Sequence, residues 1–153
     1  MAGGIMSSID EESNPIGLDR KSVNGADDIL KLNQLHIPVS KNIMIYLSSK
    51  DVIHSFKLPE LRVGQDAIPG MSIPIHFEAT MTSEQFLAEM EGTPREGKGL
   101  EIACAQLCGL GHYRMKGYLS IDTDEEYNDW LALQAEYLLE DNEEDEWGDE
   151  EDW

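Results

Sequence analysis

The sequence predicts an all-β sandwich with short peripheral helices and an acidic C-terminal tail. Short apolar stretches follow one another through the central part of the chain, and turn residues separate them. In two of these stretches, residues 43–48 and 73–78, Ile, Leu or Phe stands at every second position and more varied residues stand between them. Such alternation is typical of strands with one buried face, and many short strands in succession favour a sandwich.

The predicted strands cover residues 35–39, 43–48, 52–58, 73–78, 100–103 and 117–121. In the third of these, His54 and Phe56 share one face, because side chains two residues apart in a strand point the same way. The dipeptide Pro69-Gly70 predicts a turn before the fourth strand. His76 falls on the polar side of its strand, so we expect it at the surface.

Two helices are predicted from their N-terminal signals. Thr82 and Gln85 form a weak capping box, and Thr123 and Glu126 form a stronger one before an apolar stripe at helical spacing. The domain organisation is therefore a flexible lead-in at 1–30, a β domain at 31–122, a C-terminal helix at 123–139 and an acidic tail at 140–153. Acidic runs of this kind are usually solvated and disordered.

The composition narrows the possible partners. The 153 residues carry a net charge of −20, which argues against binding to nucleic acids or to anionic membrane surfaces. A basic protein partner suits this charge, because complementary fields speed association. The alternative is an acidic tail that only keeps the protein soluble. No apolar run is long enough to cross a membrane, and residues 1–6 lack the features of a signal peptide.

The most informative motif lies between the last two predicted strands. Cys104, Cys108, His112 and Met115 follow the spacing C-x3-C-x3-H-x2-M and include both cysteines of the chain. Thiolate and thioether are soft ligands, so the pattern favours copper. Two alternatives stay open on spacing alone: a disulfide in an oxidising compartment, and a zinc site completed by two histidines, which leaves Met115 without a role.

The motif run CAQLCGLGHYRM at residues 104–115 resembles the CuA loop of cytochrome c oxidase subunit II. Two upstream segments, SKDVIHSF at 49–56 and LRVGQDAIPGM at 61–71, resemble the same family, as does LHIPV at 35–39. The resemblance extends from Asn33 to Ile121. It implies a cupredoxin-like Greek-key sandwich, with copper at one end in the loop between the last two strands.

The resemblance also implies a set of copper ligands. Two copper ions would share the thiolates of Cys104 and Cys108 as bridges. One ion would add His54 and Met115, and the other would add His112 and the backbone carbonyl of Gln106. Many oxidases of the main branch have Glu at the Gln106 position, where its side chain reaches a magnesium ion. A neutral amide is a poorer ligand for that hard cation, so we do not expect magnesium here.

The implied function is electron transfer. Such a domain accepts electrons from cytochrome c, or a similar small redox protein, and passes them to haem in subunit I of a terminal oxidase. The oxidoreductase activity would belong to the assembled oxidase complex. The isolated domain would carry electrons without catalysing a reaction. Asp66 matches an acidic position that implies a docking contact for cytochrome c, although a plain turn residue is an equally good interpretation.

The resemblance further implies the extracytoplasmic side of a membrane, either bacterial periplasm or mitochondrial intermembrane space. The family's N-terminal membrane helices and its tryptophan-rich strand have no counterpart before Leu32. We therefore expect a soluble domain of a longer subunit or the soluble half of a split subunit. Contact with a membrane would come only through those missing helices or through partner subunits.

Three rival functions remain at this point. The CuA domain of nitrous-oxide reductase has aromatic residues between its two cysteines, whereas this chain has Gln106 and Leu107. A copper-delivery module would bind Cu(I) and stay colourless. A structural zinc domain would be redox-silent.

Overall fold

A computed structural model describes Gly25 and residues 27–145, with side chains as far as Tyr137. The described part contains seven strands, two α-helices and a 3₁₀ turn at His112–Arg114. The elements in chain order are β1 (Gln34–Pro38), β2 (Asn42–Leu47), β3 (His54–Leu58), β4 (Val63–Ala67), β5 (Ile73–Glu78), α1 (Ser83–Glu89), β6 (Leu100–Cys104), β7 (Lys116–Asp122) and α2 (Asp124–Asp145). The predicted all-β class is confirmed.

The chain divides into two compact units, and residues 31–129 form the one that holds every described strand. Five strands form one sheet in the order β1-β7-β6-β3-β4, and β2 pairs with β5 in a second sheet. The pairing of β1 with β7 is parallel, and the other paired strands are antiparallel. The described part of the second unit is residues 27–30 and 130–145, together with Gly25.

The core lies between the two sheets. Leu58, Leu119 and Ile121 of the five-stranded sheet are at most 5% exposed, and Ile43 and Phe77 of the smaller sheet pack against this cluster. Period-two patterning explains this arrangement, because alternate residues of β2 and β5 face inward while their neighbours face solvent. His76 is exposed, as predicted.

The strand pattern differs from the prediction at two places. Residues 63–67, with sequence VGQDA, carry no apolar period and were not predicted as a strand, yet they pair along the whole of β3. β3 itself begins at His54, two residues later than predicted, and the preceding Val52 and Ile53 are exposed. The predicted turn at Pro69-Gly70 is present, with Gly70 at a φ of +76°.

Both predicted capping boxes are present. The Thr82 hydroxyl accepts from the Gln85 backbone, and the Gln85 side chain accepts from the Thr82 backbone. The Thr123 hydroxyl likewise accepts from the Glu126 backbone N–H, at 3.3 Å. Helix α2 runs to Asp145 and thus enters the range predicted as tail, whereas residues 146–153 and most of the predicted lead-in lie outside the described residues. No described helix is long and apolar enough to span a membrane.

Candidate metal centre

Two neighbouring strands bring the distant parts of the motif together. His54 is the first residue of β3, and Cys104 is the last residue of β6. These strands are antiparallel neighbours, with Phe56 opposite Cys104 in the register. The Ala105 N–H donates to the Ser55 carbonyl at 2.9 Å and continues this pairing past the strand end. His54 therefore reaches the loop although 50 residues separate it from Cys104.

The loop from β6 to β7 folds back on itself so that its donors converge. Gly109 has a φ of +127°, which only glycine adopts readily, and a 3₁₀ turn follows at His112–Arg114. The Met115 N–H donates to the His112 carbonyl at 3.1 Å, and the Cys104 N–H donates to the Met115 carbonyl at 3.3 Å. These bonds close the loop over the end of the sheet.

All six residues implied as copper ligands meet in one cluster, and the two thiols lie at its centre. The Sγ atoms of Cys104 and Cys108 are 3.8 Å apart, too far for a disulfide, whose sulfurs lie about 2.05 Å apart. Cys104 Sγ lies 3.8 Å from His54 Nδ1 and 3.2 Å from the Gln106 carbonyl oxygen.

The remaining two donors surround the second thiol. Cys108 Sγ lies 3.5 Å from His112 Nδ1 and 3.1 Å from Met115 Sδ. Gln106 thus presents its backbone carbonyl to the Cys104 sulfur. His36 lies outside the cluster, where its Nδ1 bonds the Asp122 carboxylate at 2.8 Å.

The donor set fits soft, thiophilic metal ions. A metal–thiolate bond is about 2.3 Å, so two sulfurs that share an ion can be at most about 4.6 Å apart. The observed 3.8 Å between Cys104 and Cys108 satisfies this limit. Two thiols, two imidazole nitrogens and a thioether suit copper, whereas magnesium and calcium prefer oxygen donors. A Cys₂His₂ zinc site would use four of these groups and leave Met115 unexplained.

A carboxylate that the ligand pattern did not include completes one side of the cluster. Asp51 Oδ1 lies 2.8 Å from His54 Nε2. The hydrogen bond from His54, helped by the Val52 backbone N–H, lowers the pKa of Asp51 to about 2. The same bond is the main reason that the pKa of His54 is raised. The sequence does contain a signal for this contact, because Asp51 stands three residues before His54 in the segment SKDVIHSF.

The two thiols ionise differently. Burial disfavours the Cys104 thiolate, but backbone hydrogen bonds at Ser55 and Gln106 and the neighbouring imidazoles outweigh it and lower the Cys104 pKa to about 6. The pKa of Cys108 is raised, first by burial and then by the adjacent Cys104.

An apolar cavity of about 680 Å³ opens beside the cluster. His54, Cys104 and Met115 border it together with Phe56 and Ile102. Apolar walls around a metal site limit the access of water and lower the local dielectric constant. Asp66 is exposed on β4 and lies outside the cluster. It pairs with Ser55, and the next residue of β4, Ala67, pairs with His54.

Comparison with known proteins agrees with these observations. The family model for the periplasmic domain of cytochrome c oxidase subunit II matches residues 20–121. An alternative cytochrome c oxidase subunit 2 of Bradyrhizobium diazoefficiens is 33% identical over 81% of this chain and 40% of its own length. A cytochrome c oxidase subunit 2 of Synechocystis is 32% identical over 80% of this chain and 34% of its own length. The chain thus spans less than half the length of these relatives.

Solved structures show the same similarity. The periplasmic domain of subunit II of cytochrome oxidase from Bradyrhizobium japonicum is 28% identical with a TM-score of 0.55, over 69% of this chain and 66% of that one. A second structure is a mixed disulfide between a thioredoxin-like protein and subunit II of cytochrome c oxidase, at 27% identity and a TM-score of 0.52, over 69% and 64%. The cupredoxin-like fold expected from the sequence is confirmed.

Proposed function

The chain belongs to the family of cytochrome c oxidase subunit II periplasmic domains, and from this membership we propose that it is an electron-transfer domain with a dinuclear CuA centre. One observation carries the proposal. The two thiols, two imidazoles, thioether and backbone carbonyl of the motif converge at one end of the sandwich, although His54 is remote from the others in sequence.

In this proposal each donor has a distinct role. Cys104 and Cys108 would be shared by the two copper ions, His54 and Met115 would hold one ion, and His112 and the Gln106 carbonyl would hold the other. When bound, the copper pair supplies one-electron redox chemistry. The chain's own contribution is rigidity: the β3–β6 register and the backbone bonds of the loop hold the donors in place, so the protein has little to rearrange between oxidation states.

The proposed place of the domain is on the extracytoplasmic side of a membrane. There it receives electrons from cytochrome c or a similar small redox protein and delivers them to haem in subunit I. The related proteins are subunits of cytochrome c oxidase, so the oxidoreductase activity is that of the assembled complex.

The distribution of charge supports the proposal that the C-terminal segment, residues 123–153, attracts a basic donor. Residues 31–122 hold nine basic and ten acidic side chains and are nearly neutral, whereas residues 123–153 hold fifteen acidic side chains and no basic one. The long-range field therefore arises mainly from the C-terminal segment. Asp66, exposed beside the cluster, is the proposed short-range contact on the body.

The primary experiment is metal analysis, absorption and EPR spectroscopy of the copper-loaded chain. We expect two coppers per chain, a purple oxidised form and a mixed-valence EPR signal. Cys104→Ser and Cys108→Ser should abolish the signal, because a hydroxyl cannot bridge as a thiolate does. A single blue copper, a colourless Cu(I) protein or a redox-silent zinc protein would each contradict the proposal and identify the rival that replaces it.

The docking proposal is tested by the rate at which a basic cytochrome c reduces the domain as salt rises. Screening shortens the Debye length from about 30 Å at 0.01 M to about 10 Å at 0.1 M, so the rate should fall. Deleting residues 140–153 should remove much of this salt dependence, and Asp66→Asn should remove part of the remainder. If Asp66→Asn changes nothing in the truncated chain, Asp66 is not a docking residue.

The closeness of the two thiols and the related mixed-disulfide structure support a proposal of a thioredoxin-like partner. A disulfide between Cys104 and Cys108 would remove both bridging donors, so copper loading requires the dithiol. We propose that a thioredoxin-like dithiol reduces this disulfide and is itself oxidised. Oxidised, copper-free protein should fail to take up copper until such a dithiol is added.

A further inference from the structure

The two ring nitrogens of His54 face different partners. Nε2 lies 2.8 Å from Asp51 Oδ1, whereas Nδ1 lies 3.8 Å from Cys104 Sγ. The first distance is that of a charge-assisted hydrogen bond, and the second is much longer. A carboxylate accepts hydrogen bonds and donates none when ionised. The proton of a neutral His54 ring therefore belongs on Nε2, and the lone pair belongs on Nδ1, toward the sulfurs.

The segment before β3 holds Asp51 in this position. The Ser49 hydroxyl lies 3.3 Å from Asp51 Oδ1 and within hydrogen-bond reach of the Val52 carbonyl, which makes residues 49–52 a compact turn. Ser49 also forms a bridge with Pro69, next to the end of β4. The carboxylate thus has the Ser49 hydroxyl and the His54 ring as hydrogen-bond partners, although 69% of its side chain is exposed.

We propose that Asp51 is a positioning residue that selects Nδ1 of His54 as the metal donor. It accepts the Nε2 proton, fixes the tautomer and sets the plane of the ring so that the Nδ1 lone pair points at Cys104. This inference rests on the proposed function for its metal but not for its geometry. Carboxylates that orient a ligating histidine in this way commonly change metal affinity by about 10–100-fold.

The chain contains a matched control for this pair. His36 and Asp122 form the same kind of contact, with His36 Nδ1 2.8 Å from Asp122 Oδ2. Asp122 ends β7, whereas the metal cluster adjoins the start of that strand at Lys116. Six residue steps of about 3.3 Å place the control pair roughly 20 Å from the cluster. Asp122 is 14% exposed and also accepts the Ser120 hydroxyl at 2.6 Å, so Asp122→Ala is the structurally harsher change and a stringent control for the loss of a histidine–carboxylate pair.

The copper experiment compares Asp51→Ala, Asp51→Asn and Asp122→Ala with the parent chain. We expect Asp51→Ala to lower copper affinity about 10–100-fold and to change the hyperfine pattern of the EPR signal. Asp51→Asn should lose less, because its amide oxygen still accepts the Nε2 proton. Asp122→Ala should keep both properties. Unchanged affinity and spectrum in Asp51→Ala would overturn the proposal, and so would equal losses in Asp122→Ala.

A second measurement needs no copper and separates this inference from the proposed function. Nitrogen-15 NMR of the metal-free chain, at a pH where His54 is neutral, reports which ring nitrogen carries the proton. We expect the Nε2–H tautomer in the parent and a mixture in Asp51→Ala. A parent ring protonated on Nδ1, or an identical tautomer in Asp51→Ala, overturns the role of Asp51. Failure of the parent to bind two coppers overturns the CuA proposal instead.

Discussion

Gly117 offers the clearest test of how tightly the strands beside the cluster are packed. This residue is the second of β7, and it lies beside Asn33, the residue before β1, because the two strands pair in parallel with Gln34 opposite Tyr118. A Cβ placed on it would meet the Asn33 carbonyl oxygen at 3.0 Å, the Asn33 carbonyl carbon at 3.2 Å and Ile102 Cδ1 at 3.3 Å. The Ile102 side chain can rotate away. The Asn33 carbonyl cannot do so freely, because it accepts a 2.8 Å hydrogen bond from the Tyr118 N–H.

The expected cost follows from these contacts. Inserting a methyl group into a well-packed site costs about 1–3 kcal/mol, while replacing glycine by alanine returns about 0.4–1 kcal/mol through the unfolded chain. Gly117→Ala should therefore destabilise the domain by about 1–2 kcal/mol. For a unit of this size that corresponds to a fall in Tm of roughly 4–16 °C.

Gly99→Ala is the control, because a Cβ at Gly99 meets no atom within 4 Å and its φ lies outside the left-handed region. It should be neutral or stabilise by up to about 1 kcal/mol. Thermal and urea unfolding of both variants, measured without copper, give the comparison. A Gly117→Ala variant that melts at or above the parent temperature would refute the packing argument.

Other consequences can be measured in the same way. Leu58 is fully buried, so Leu58→Ala should cost about 2–5 kcal/mol in urea unfolding, whereas Leu32→Ala, at a side chain that is 67% exposed, should cost far less. Thr123→Ala removes the N-cap of α2 and should cost about 0.5–2 kcal/mol. The pKa of Glu126 is lowered, first by the Thr123 backbone N–H and then by the Thr123 hydroxyl, so the stabilisation from that carboxylate is present above about pH 4.5 and is lost as the pH falls through the lowered value. Thr123→Ala should weaken this acid dependence without abolishing it, because alanine keeps the backbone N–H. Gln106→Ala should keep the purple copper centre, since the backbone carbonyl that lies near the Cys104 sulfur is unchanged, and loss of copper in that variant would assign the role to the amide side chain.

Local patterns in the sequence were sufficient for much of the fold. The strands β2 and β5 follow from strict alternation, and their inner and outer faces are those predicted. Both helix starts follow from capping boxes whose hydrogen bonds are present. These features depend on residues within a few positions of one another, so the pattern of side chains is enough to predict them.

β4 shows what local patterns miss. Its sequence VGQDA contains glycine and two polar residues, which argue against a strand by propensity. It is extended because every residue pairs with β3, whose own pattern is strong. The parallel pairing of β1 with β7 is equally invisible in sequence, since it joins segments more than 80 residues apart. Pairing between distant strands outweighs the intrinsic preference of the residues involved.

In the candidate site, too, some features follow from the sequence and others only from the tertiary structure. The sequence by itself determined the chemistry of the donors, because two thiols, an imidazole and a thioether at fixed short spacing already favour copper, and the family resemblance added His54 and the Gln106 carbonyl. Only the tertiary structure decided that His54 meets Cys104 across two antiparallel strands, that Nδ1 and not Nε2 faces the sulfurs, and that Asp51 holds the other nitrogen. The softness of a donor is a property of its residue type, so the amino-acid sequence is enough to predict it. Ring orientation depends on which groups the sheet brings within 3 Å, and that is set by strand register.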